Sequence, residues 1–278
     1  MLHSLAEQIR RVEIQPNSLA VWGMGQVGAL LKGTGAIVGI DLYLSNYVYD
    51  IYGGENIRNF PPPLEPQDVP AFDYYFITHE HLDHYDPKTI APILATNPHV
   101  VFVTNGWCKQ LLLDNLGVAE ANILTPTALE PLHLPHNIRV TAVPGAHYGK
   151  DYDATKGYRW QGFLIEWNGV TFLHTGDTLW YEGYEAILQG LPKIDLALIP
   201  MNGRDSLRDA QNILGNFHPQ EAVTLAQLLG VDTVIIGHND LFPNNRIPFS
   251  QVIHALETIH PRQKYKVLQP GELLYYVK

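Results

Sequence analysis

HEHLDHYD, residues 79–86, contains the pattern H-x-H-x-D-H, which brings three imidazoles and a carboxylate into six consecutive positions. The preceding residues FDYYFIT are aromatic and β-branched, which is typical of a buried strand. Asp86-Pro87 then has the form of a helix start, with Asp as the N-cap and Pro in the first helical position. The polar cluster therefore lies on a loop between a strand and a helix. Imidazole and carboxylate on such a loop can converge on zinc or a similar divalent ion.

The composition is that of an ordinary globular protein. The chain has 278 residues, of which 46% are hydrophobic and 17% charged, and its formal net charge is −10. An acidic chain is a poor candidate for a nucleic-acid-binding protein, because phosphate contacts need a basic surface. No apolar run is long enough for a transmembrane segment, and no apolar signal-peptide core is present at the N-terminus. The single cysteine, Cys108, fits a cytoplasmic location.

A glycine cluster near the N-terminus offers a second interpretation. Gly23, Gly25 and Gly28 have the G-x-G-x-x-G spacing of a dinucleotide-binding loop, and Asp41 follows at a plausible distance. That motif requires a helix directly after the glycines, whereas the segment Lys32–Gly35 (KGTG) interrupts the chain too soon. We therefore predict short antiparallel strands joined by glycine turns.

The rest of the chain alternates between strand and helix patterns. Segments such as PHVVFVTN and DLALIP are typical strands, PQEAVTLAQLLG is a typical helix with a glycine stop, and KYKVLQPGELLYYV is predicted to be a closing strand pair. Mixed sheets flanked by helices in two similar halves indicate a layered α/β sandwich, which we expect to form one domain over residues 1–278.

Three further polar residues stand where predicted strands end. His147 follows TAVPGA, Asp177 lies in LHTGDT, and His238 lies in GHND after VIIG. Each alone could be a turn residue or an ordinary hydrogen-bonded histidine. Together with the cluster at residues 79–84 they complete seven candidate ligands, enough for two metal ions that share a carboxylate.

In order and approximate spacing, this series resembles the metal-binding residues of the metallo-β-lactamase-fold hydrolases, over nearly the whole chain. The segments LAVWGMGQVGALLKG, LHTGDT and VIIGHND are similar to the branch with L-ascorbate-6-phosphate lactonase and N-acyl-phosphatidylethanolamine-hydrolysing phospholipase D. The resemblance implies a four-layer αββα sandwich with the metals at one edge between the sheets. It also implies a first site of His79, His81 and His147, a second site of Asp83, His84 and His238, and Asp177 as the bridge.

Two divalent ions would lower the pKa of a water held between them, giving a hydroxide that attacks a carbonyl or phosphorus. Asp83 would orient this nucleophile and carry a proton, and we assign His238 a catalytic role as well. Zinc or manganese suits the ligands best, and iron is compatible with them. The predicted function is hydrolysis of a small anionic ester, such as a phosphorylated sugar lactone. A phosphodiesterase is the alternative of the same fold, and a di-iron oxidoreductase or a non-catalytic metal-binding protein are alternatives of other classes.

Four residues on neighbouring loops are candidates for substrate binding: Tyr148, Trp180, Asn202 and Arg204. Arg204 could hold a phosphate or carboxylate through two parallel hydrogen bonds, or could form a surface salt bridge with Asp205 or Asp209. The expected partner is a small anionic molecule, and a homo-oligomer is compatible with the sequence.

Overall fold

Strands from the first half of the chain form most of one sheet. In the computed structural model, which describes residues 4–278, these strands are β1 (Ser18–Gly25), β2 (Gly28–Gly33), β3 (Ala36–Ile40), β4 (Tyr74–Phe76), β5 (Val101–Val103) and β6 (Ile123–Leu124). The second half contributes β7 (Pro131–Leu134), β8 (Ile138–Pro144), β9 (Tyr152–Asp153), β10 (Gly157–Tyr158), β11 (Gln161–Trp167), β12 (Val170–His174), β13 (Leu196–Pro200), β14 (Thr233–Gly237), β15 (Lys264–Lys266) and β16 (Leu273–Val277).

The strands form two seven-stranded sheets with the same plan. The first sheet has the order β16-β1-β2-β3-β4-β5-β6, the second has the order β15-β14-β13-β12-β11-β8-β7, and β9 and β10 form a separate hairpin. In the first sheet β16 to β3 are antiparallel and β3 to β6 are parallel. In the second, β7, β8, β11 and β12 are antiparallel, and β12 to β15 are parallel. Each half therefore has an antiparallel meander next to parallel strands that are connected through helices.

Helices cover the outer face of each sheet. The α-helices of the described residues are α1 (Leu5–Arg11), α2 (Tyr47–Tyr52), α3 (Pro87–Thr96), α4 (Gly106–Leu116), α5 (Tyr184–Gln189), α6 (Ser206–Ala210), α7 (Pro219–Leu229) and α8 (Phe249–Ile259), with 3₁₀ helices at Pro66–Asp68 and Glu120–Asn122. Apolar side chains of α1, α3 and α4 pack on the first sheet, and those of α5, α7 and α8 pack on the second. A third apolar cluster fills the space between the sheets, where the rings of Phe76 and Phe163 are 5.0 Å apart. The predicted four-layer αββα sandwich is confirmed.

The glycine cluster lies in strands, as predicted. Gly23 and Gly25 are in β1, Gly28 begins β2, and the two strands are paired antiparallel, so no helix follows the glycines. The antiparallel hairpin excludes the strand-to-helix turn on which a dinucleotide-binding loop depends.

The predicted closing strand pair is wrong. β15 pairs with β14 in the second sheet, whereas β16 pairs with β1 in the first. Between them the chain crosses from one sheet to the other, and Gly271 anchors the crossing by donating its N–H to the carbonyl of Gly23 (2.7 Å). Local sequence patterns predict that both segments are extended, but the choice of neighbour depends on distant strands. Within residues 4–278, no helix is long and apolar enough to cross a membrane.

Candidate metal centre

Four loops bring the predicted ligands to one edge of the sandwich. Residues 79–84 follow β4 of the first sheet, while His147, Asp177 and His238 follow β8, β12 and β14 of the second. The first loop ends at Asp86, whose side chain accepts the N–H of Lys88 (3.0 Å) and caps α3 as the sequence predicts. Both sheets therefore contribute to one cluster.

The first ligand set consists of His79, His81 and Asp177. Each offers one ligand atom, and these atoms lie within 4.8 Å of one another. His147 lies beside them, with its ring centroid 5.3 Å from that of His81. The structure thus brings together the residues assigned to the first site.

The second ligand set consists of Asp83, His84 and His238, with Asp177 next to it. Oδ2 of Asp177 lies 3.5 Å from Nε2 of His84 and 3.1 Å from Nε2 of His238. Oδ2 of Asp83 lies 3.8 Å and 3.5 Å from the same two nitrogens. A tetrahedral ion with bonds of about 2.0–2.1 Å has ligand atoms about 3.3–3.5 Å apart. The spacing of these atoms fits one divalent ion, and Asp177 is close to both sets.

Several of the ligand atoms are buried without any hydrogen-bond partner. They are Nε2 of His79, Nε2 of His84, Nδ1 of His147 and Oδ1 of Asp177. A buried polar atom without a partner is destabilising, because it has lost its hydrogen bonds to water. Metal ions would satisfy such atoms, so the donor set fits the ions that the sequence implies.

The protonation of the imidazoles also favours cations here. Burial lowers the pKa of His79 well below its usual range and that of His147 to about 3, which leaves both rings neutral, the form that binds metals. Burial also lowers the pKa of His84 and His238, but the negative charges of Asp177 and Asp83 raise it by more than burial lowers it. The pKa of His84 therefore lies well above its usual range, and that of His238 is raised to about 10. The two carboxylates thus require positive charge, which divalent ions could supply in place of the protons.

Asp41 and Thr78 hold two of the histidines from behind. The fully buried carboxylate of Asp41 lies 2.9 Å from Nδ1 of His84 and accepts both the N–H (2.9 Å) and the hydroxyl (2.6 Å) of Thr78. The Thr78 hydroxyl in turn lies 3.0 Å from Nδ1 of His79. Contacts of this kind orient metal-binding histidines. In the sequence, the spacing of Asp41 from the glycine cluster suggests only a dinucleotide site; its position directly after a strand is the signal that could have identified it as a partner of the histidines.

Trp160 was not predicted either. Its ring centroid lies 5.1 Å from those of His79 and His81 and 5.2 Å from that of His147. The indole therefore packs against all three histidines, while its N–H donates to Asp151 (3.0 Å). A tryptophan in a sequence carries no signal for this contact, because the ring reaches the centre only through the fold.

A cavity of about 750 Å³ opens over the centre. Its floor includes His81, Asp83, His147, Asp177 and His238. Its walls are apolar, amide-bearing or acidic: Val48, Tyr52, Leu82, Ile213, Leu214, Phe242, Asn56, Gln211, Asn212, Asn244, Asn245, Glu55 and Glu80. No lysine or arginine of the described residues 4–278 lines it, and Glu80 is paired with Arg159.

The four predicted substrate residues do not line this cavity. Tyr148 is exposed and donates its hydroxyl to Asp209, and Trp180 packs beside the outer core of the second sheet. Asn202 is buried and donates to Asn245 (2.8 Å), which does line the cavity, so Asn202 supports the wall from behind.

Arg204 is paired with Glu221, in the first turn of α7. Its two terminal nitrogens each donate to one carboxylate oxygen of Glu221 at 2.7 Å, and one of them also donates to the carbonyl of Asn216 (3.0 Å). The two parallel hydrogen bonds expected for a substrate anion are made to Glu221 instead, and not to Asp205 or Asp209. The structure therefore offers no support for Arg204 as a substrate clamp.

Comparisons with known proteins agree with this fold and with the position of the candidate ligands at one edge of the sandwich. Residues 43–239, more than half of the chain, match the family model described as Beta-lactamase superfamily domain. N-acyl-phosphatidylethanolamine-hydrolyzing phospholipase D 1 of Caenorhabditis elegans is 25% identical over 218 residues, which cover 76% of this chain and 58% of that protein. A UPF0173 metal-dependent hydrolase of Caldivirga maquilingensis is 26% identical over 218 residues, which cover 78% of this chain and 86% of that protein.

The fold is also that of solved structures. An isothiocyanate hydrolase from Delia radicum gut bacteria superposes with a TM-score of 0.69 at 16% identity, covering 92% of this chain and 98% of that one. The matched family model spans the loops that carry all seven candidate ligands. This chain therefore belongs to the β-lactamase superfamily and has the αββα architecture of its metallo-β-lactamase-fold hydrolases.

Proposed function

We propose that this protein hydrolyses a small ester with the help of two divalent metal ions, zinc or manganese in preference to iron. The observation that carries the proposal is the pair of ligand sets around Asp177 at the floor of the cavity, with buried ligand atoms that have no other partner. The metal-dependent hydrolase from Caldivirga maquilingensis supports the same reaction class.

Metal ions bound there would lower the pKa of a water molecule and stabilise negative charge on a substrate oxygen. In this proposal His79, His81 and His147 would hold one ion, Asp83, His84 and His238 would hold the other, and the Asp177 carboxylate lies close enough to serve both sets. Asp83 is also the proton acceptor. In the metal-free protein, burial raises the pKa of the Asp83 carboxyl, but the positively charged His84 and His238 rings outweigh this effect and keep the pKa below its usual value. Bound metal ions would favour the ionised carboxylate in the same way.

We assign His238 a catalytic role beside Asp83, because its ring borders the cavity between Asp83 and Asp177. Its backbone N–H donates to the carbonyl of Gln26 (2.8 Å), which fixes the residue in a left-handed conformation (φ 57°). The ring is thereby held towards the cavity floor.

The residues of the cavity wall limit which substrates we propose. Without Arg204, an anionic group has no lysine or arginine among the described lining residues to bind, and Glu55 would repel it. Two divalent ions outweigh the charges of Asp83 and Asp177, so an anionic group would bind at the floor. We therefore propose that the substrate is a small ester or lactone with a single anionic group, which lies against the metal centre. The rest of the substrate is uncharged and lies against the apolar and amide-bearing wall of the cavity.

A phosphodiester is the second candidate substrate. The similarity to N-acyl-phosphatidylethanolamine-hydrolyzing phospholipase D 1 favours it, and its charged phosphate would also bind at the floor. The groups on either side of the phosphate would then face the apolar and amide-bearing wall of the cavity.

The test is elemental analysis of the purified protein, followed by initial rates on lactones, phosphodiesters and acyl thioesters with and without a chelator. We expect chelator-sensitive hydrolysis by protein that holds close to two metal ions per chain. Metal-loaded protein that hydrolyses none of these compounds would contradict the proposal. Oxygen consumption in its place would favour the di-iron oxidoreductase, and metal binding alone would favour a non-catalytic metal-binding protein.

A further inference from the structure

The turn between β1 and β2 carries a glutamine into the metal centre. β1 ends at Gly25 (φ 92°), and Gln26 follows in a left-handed conformation (φ 58°) with only 5% of its surface exposed. A left-handed backbone in a residue other than glycine costs free energy. The buried side chain and its contacts offset that cost.

Gln26 contacts both cavity-lining members of the second ligand set. Its Nε2 donates to Oδ2 of Asp83 (2.7 Å) and lies 3.1 Å from Nε2 of His238. Its backbone carbonyl accepts the N–H of His238 (2.8 Å), and its backbone N–H donates to Asp240 (3.2 Å). The described structure contains no hydrogen bond from Gln26 to His79, His81 or His147.

We propose that Gln26 is a positioning residue for the second metal ion, an inference that rests on the proposed function. Asp83 lies on a loop, and its carboxylate accepts a hydrogen bond from the Gln26 amide beside its contacts with His84 and His238. The amide donor holds Oδ2 of Asp83 within reach of His84 and His238. Because the amide is uncharged, it orients the carboxylate without neutralising the charge that attracts the ion.

The proposal predicts an effect on one ion and not on the other. The first ligand set is supported instead by Thr78, behind His79, and by the Trp160 ring. Loss of an outer partner of a metal ligand commonly weakens metal binding by about 10- to 100-fold. Removing the Gln26 donor should therefore weaken the second equivalent by about that factor and leave the first unchanged.

The test compares metal binding by wild type and Gln26→Met. Methionine has about the same length and the same left-handed backbone cost, but no donor. Metal-stripped protein is titrated with zinc and then with manganese by calorimetry with a competing chelator, and bound metal is checked by elemental analysis. Asn17→Met is the control, because Asn17 is an exposed residue with the same φ of 58° just before the start of β1, whereas Gln26 follows its end.

A selective weakening of the second equivalent in Gln26→Met, with Asn17→Met unchanged, would support the proposal. Equal affinities in wild type and variant, or equal losses at both sites, would overturn it and leave the two-metal proposal intact. A wild type that takes up no metal would instead overturn the proposed function, and with it this inference. If Gln26→Met does not fold, Gln26→Ala is titrated in its place with the same expected outcome.

Discussion

Asp177 lies close to both ligand sets, and its Oδ1 is buried without a hydrogen bond. We expect Asp177→Asn to lose bound metal and all measurable hydrolysis, because the neutral amide replaces a charged carboxylate between the two proposed metal sites. Elemental analysis and initial rates measure the two effects.

Asp68→Asn is the control for this change, since Asp68 is an exposed carboxylate on a 3₁₀ helix. It should keep both metal content and rate. An Asp177→Asn protein that still holds two ions per chain would show that Asp177 is not a shared ligand.

Cys108 illustrates how burial decides the chemistry of a residue. It lies in the first turn of α4, where its N–H is capped by Asn105 (2.8 Å). The thiol is fully buried, and burial raises its pKa well above the usual range. It therefore packs as an apolar group and is no rival nucleophile to the metal centre.

At the scale of elements, the β1–β2 turn depends on Gly25. Its φ is 92°, and a Cβ there would lie 3.0 Å from the ring of Phe60. We expect Gly25→Ala to lower the free energy of unfolding by about 1–2 kcal/mol, because an L side chain is strained at this φ. Urea unfolding measures the change, and calorimetry should find no tight binding of NAD or a flavin by either protein.

Gly54→Ala is the matched control. Gly54 also has a positive φ (61°), but a Cβ there would meet nothing within 4 Å. It reports the backbone cost alone, so a larger loss in Gly25→Ala measures the contact with Phe60. Tight NAD binding by the wild type would contradict the assignment of this segment as a hairpin.

The Arg204–Glu221 pair belongs to the start of α7. Glu221 accepts two hydrogen bonds from Arg204 and also the N–H of the N-cap residue His218 (2.9 Å). Both side chains are largely buried, with 23% and 27% of their surface exposed. We expect Arg204→Ala to cost about 1–2 kcal/mol of stability, as for a charge-assisted pair that is partly shielded from water, and to leave KM unchanged.

Urea unfolding and steady-state kinetics on the best substrate test this expectation. Arg246→Ala is the control, because Arg246 is exposed and no ion pair or hydrogen bond joins it to the described residues. A tenfold rise in KM with unchanged stability would instead return Arg204 to the substrate site.

At the scale of the molecule, the centre joins the two halves of the sandwich. His79, His81, Asp83 and His84 extend from the first sheet, and His147, Asp177 and His238 extend from the second. Ions bound between them would stabilise only the folded state, in which both sets of ligands meet.

Removing the metals should therefore destabilise the whole fold. An ion present at about a thousand times its dissociation constant adds about 4 kcal/mol of stability. For a chain of this size, we expect dialysis against a chelator to lower Tm by about 10 °C, with recovery when zinc or manganese is returned. Calorimetric melting with magnesium as the control ion measures this, and an unchanged Tm after verified metal loss would contradict a structural link between the sheets.

Features that depend on neighbours along the chain can be predicted from the amino-acid sequence. The apolar strands, the Asp86 N-cap and the polar residues directly after strands are local patterns, and they predict a layered α/β sandwich with candidate ligands at the ends of strands. The four-layer αββα arrangement and the edge where the seven candidate ligands meet were implied by the family resemblance. The resemblance to metallo-β-lactamase-fold hydrolases, carried by HEHLDH and LHTGDT, is confirmed by the family match over residues 43–239.

Contacts between residues that are distant in the chain could not be predicted from the sequence, because they depend on the three-dimensional fold. Glu221 as the partner of Arg204, Gln26 against Asp83, and β16 beside β1 all join parts of the chain that no local pattern relates. The same holds for Asp41 behind His84. These contacts depend on strand order and on the direction in which each buried side chain points, and both are fixed only when the two sheets pack together.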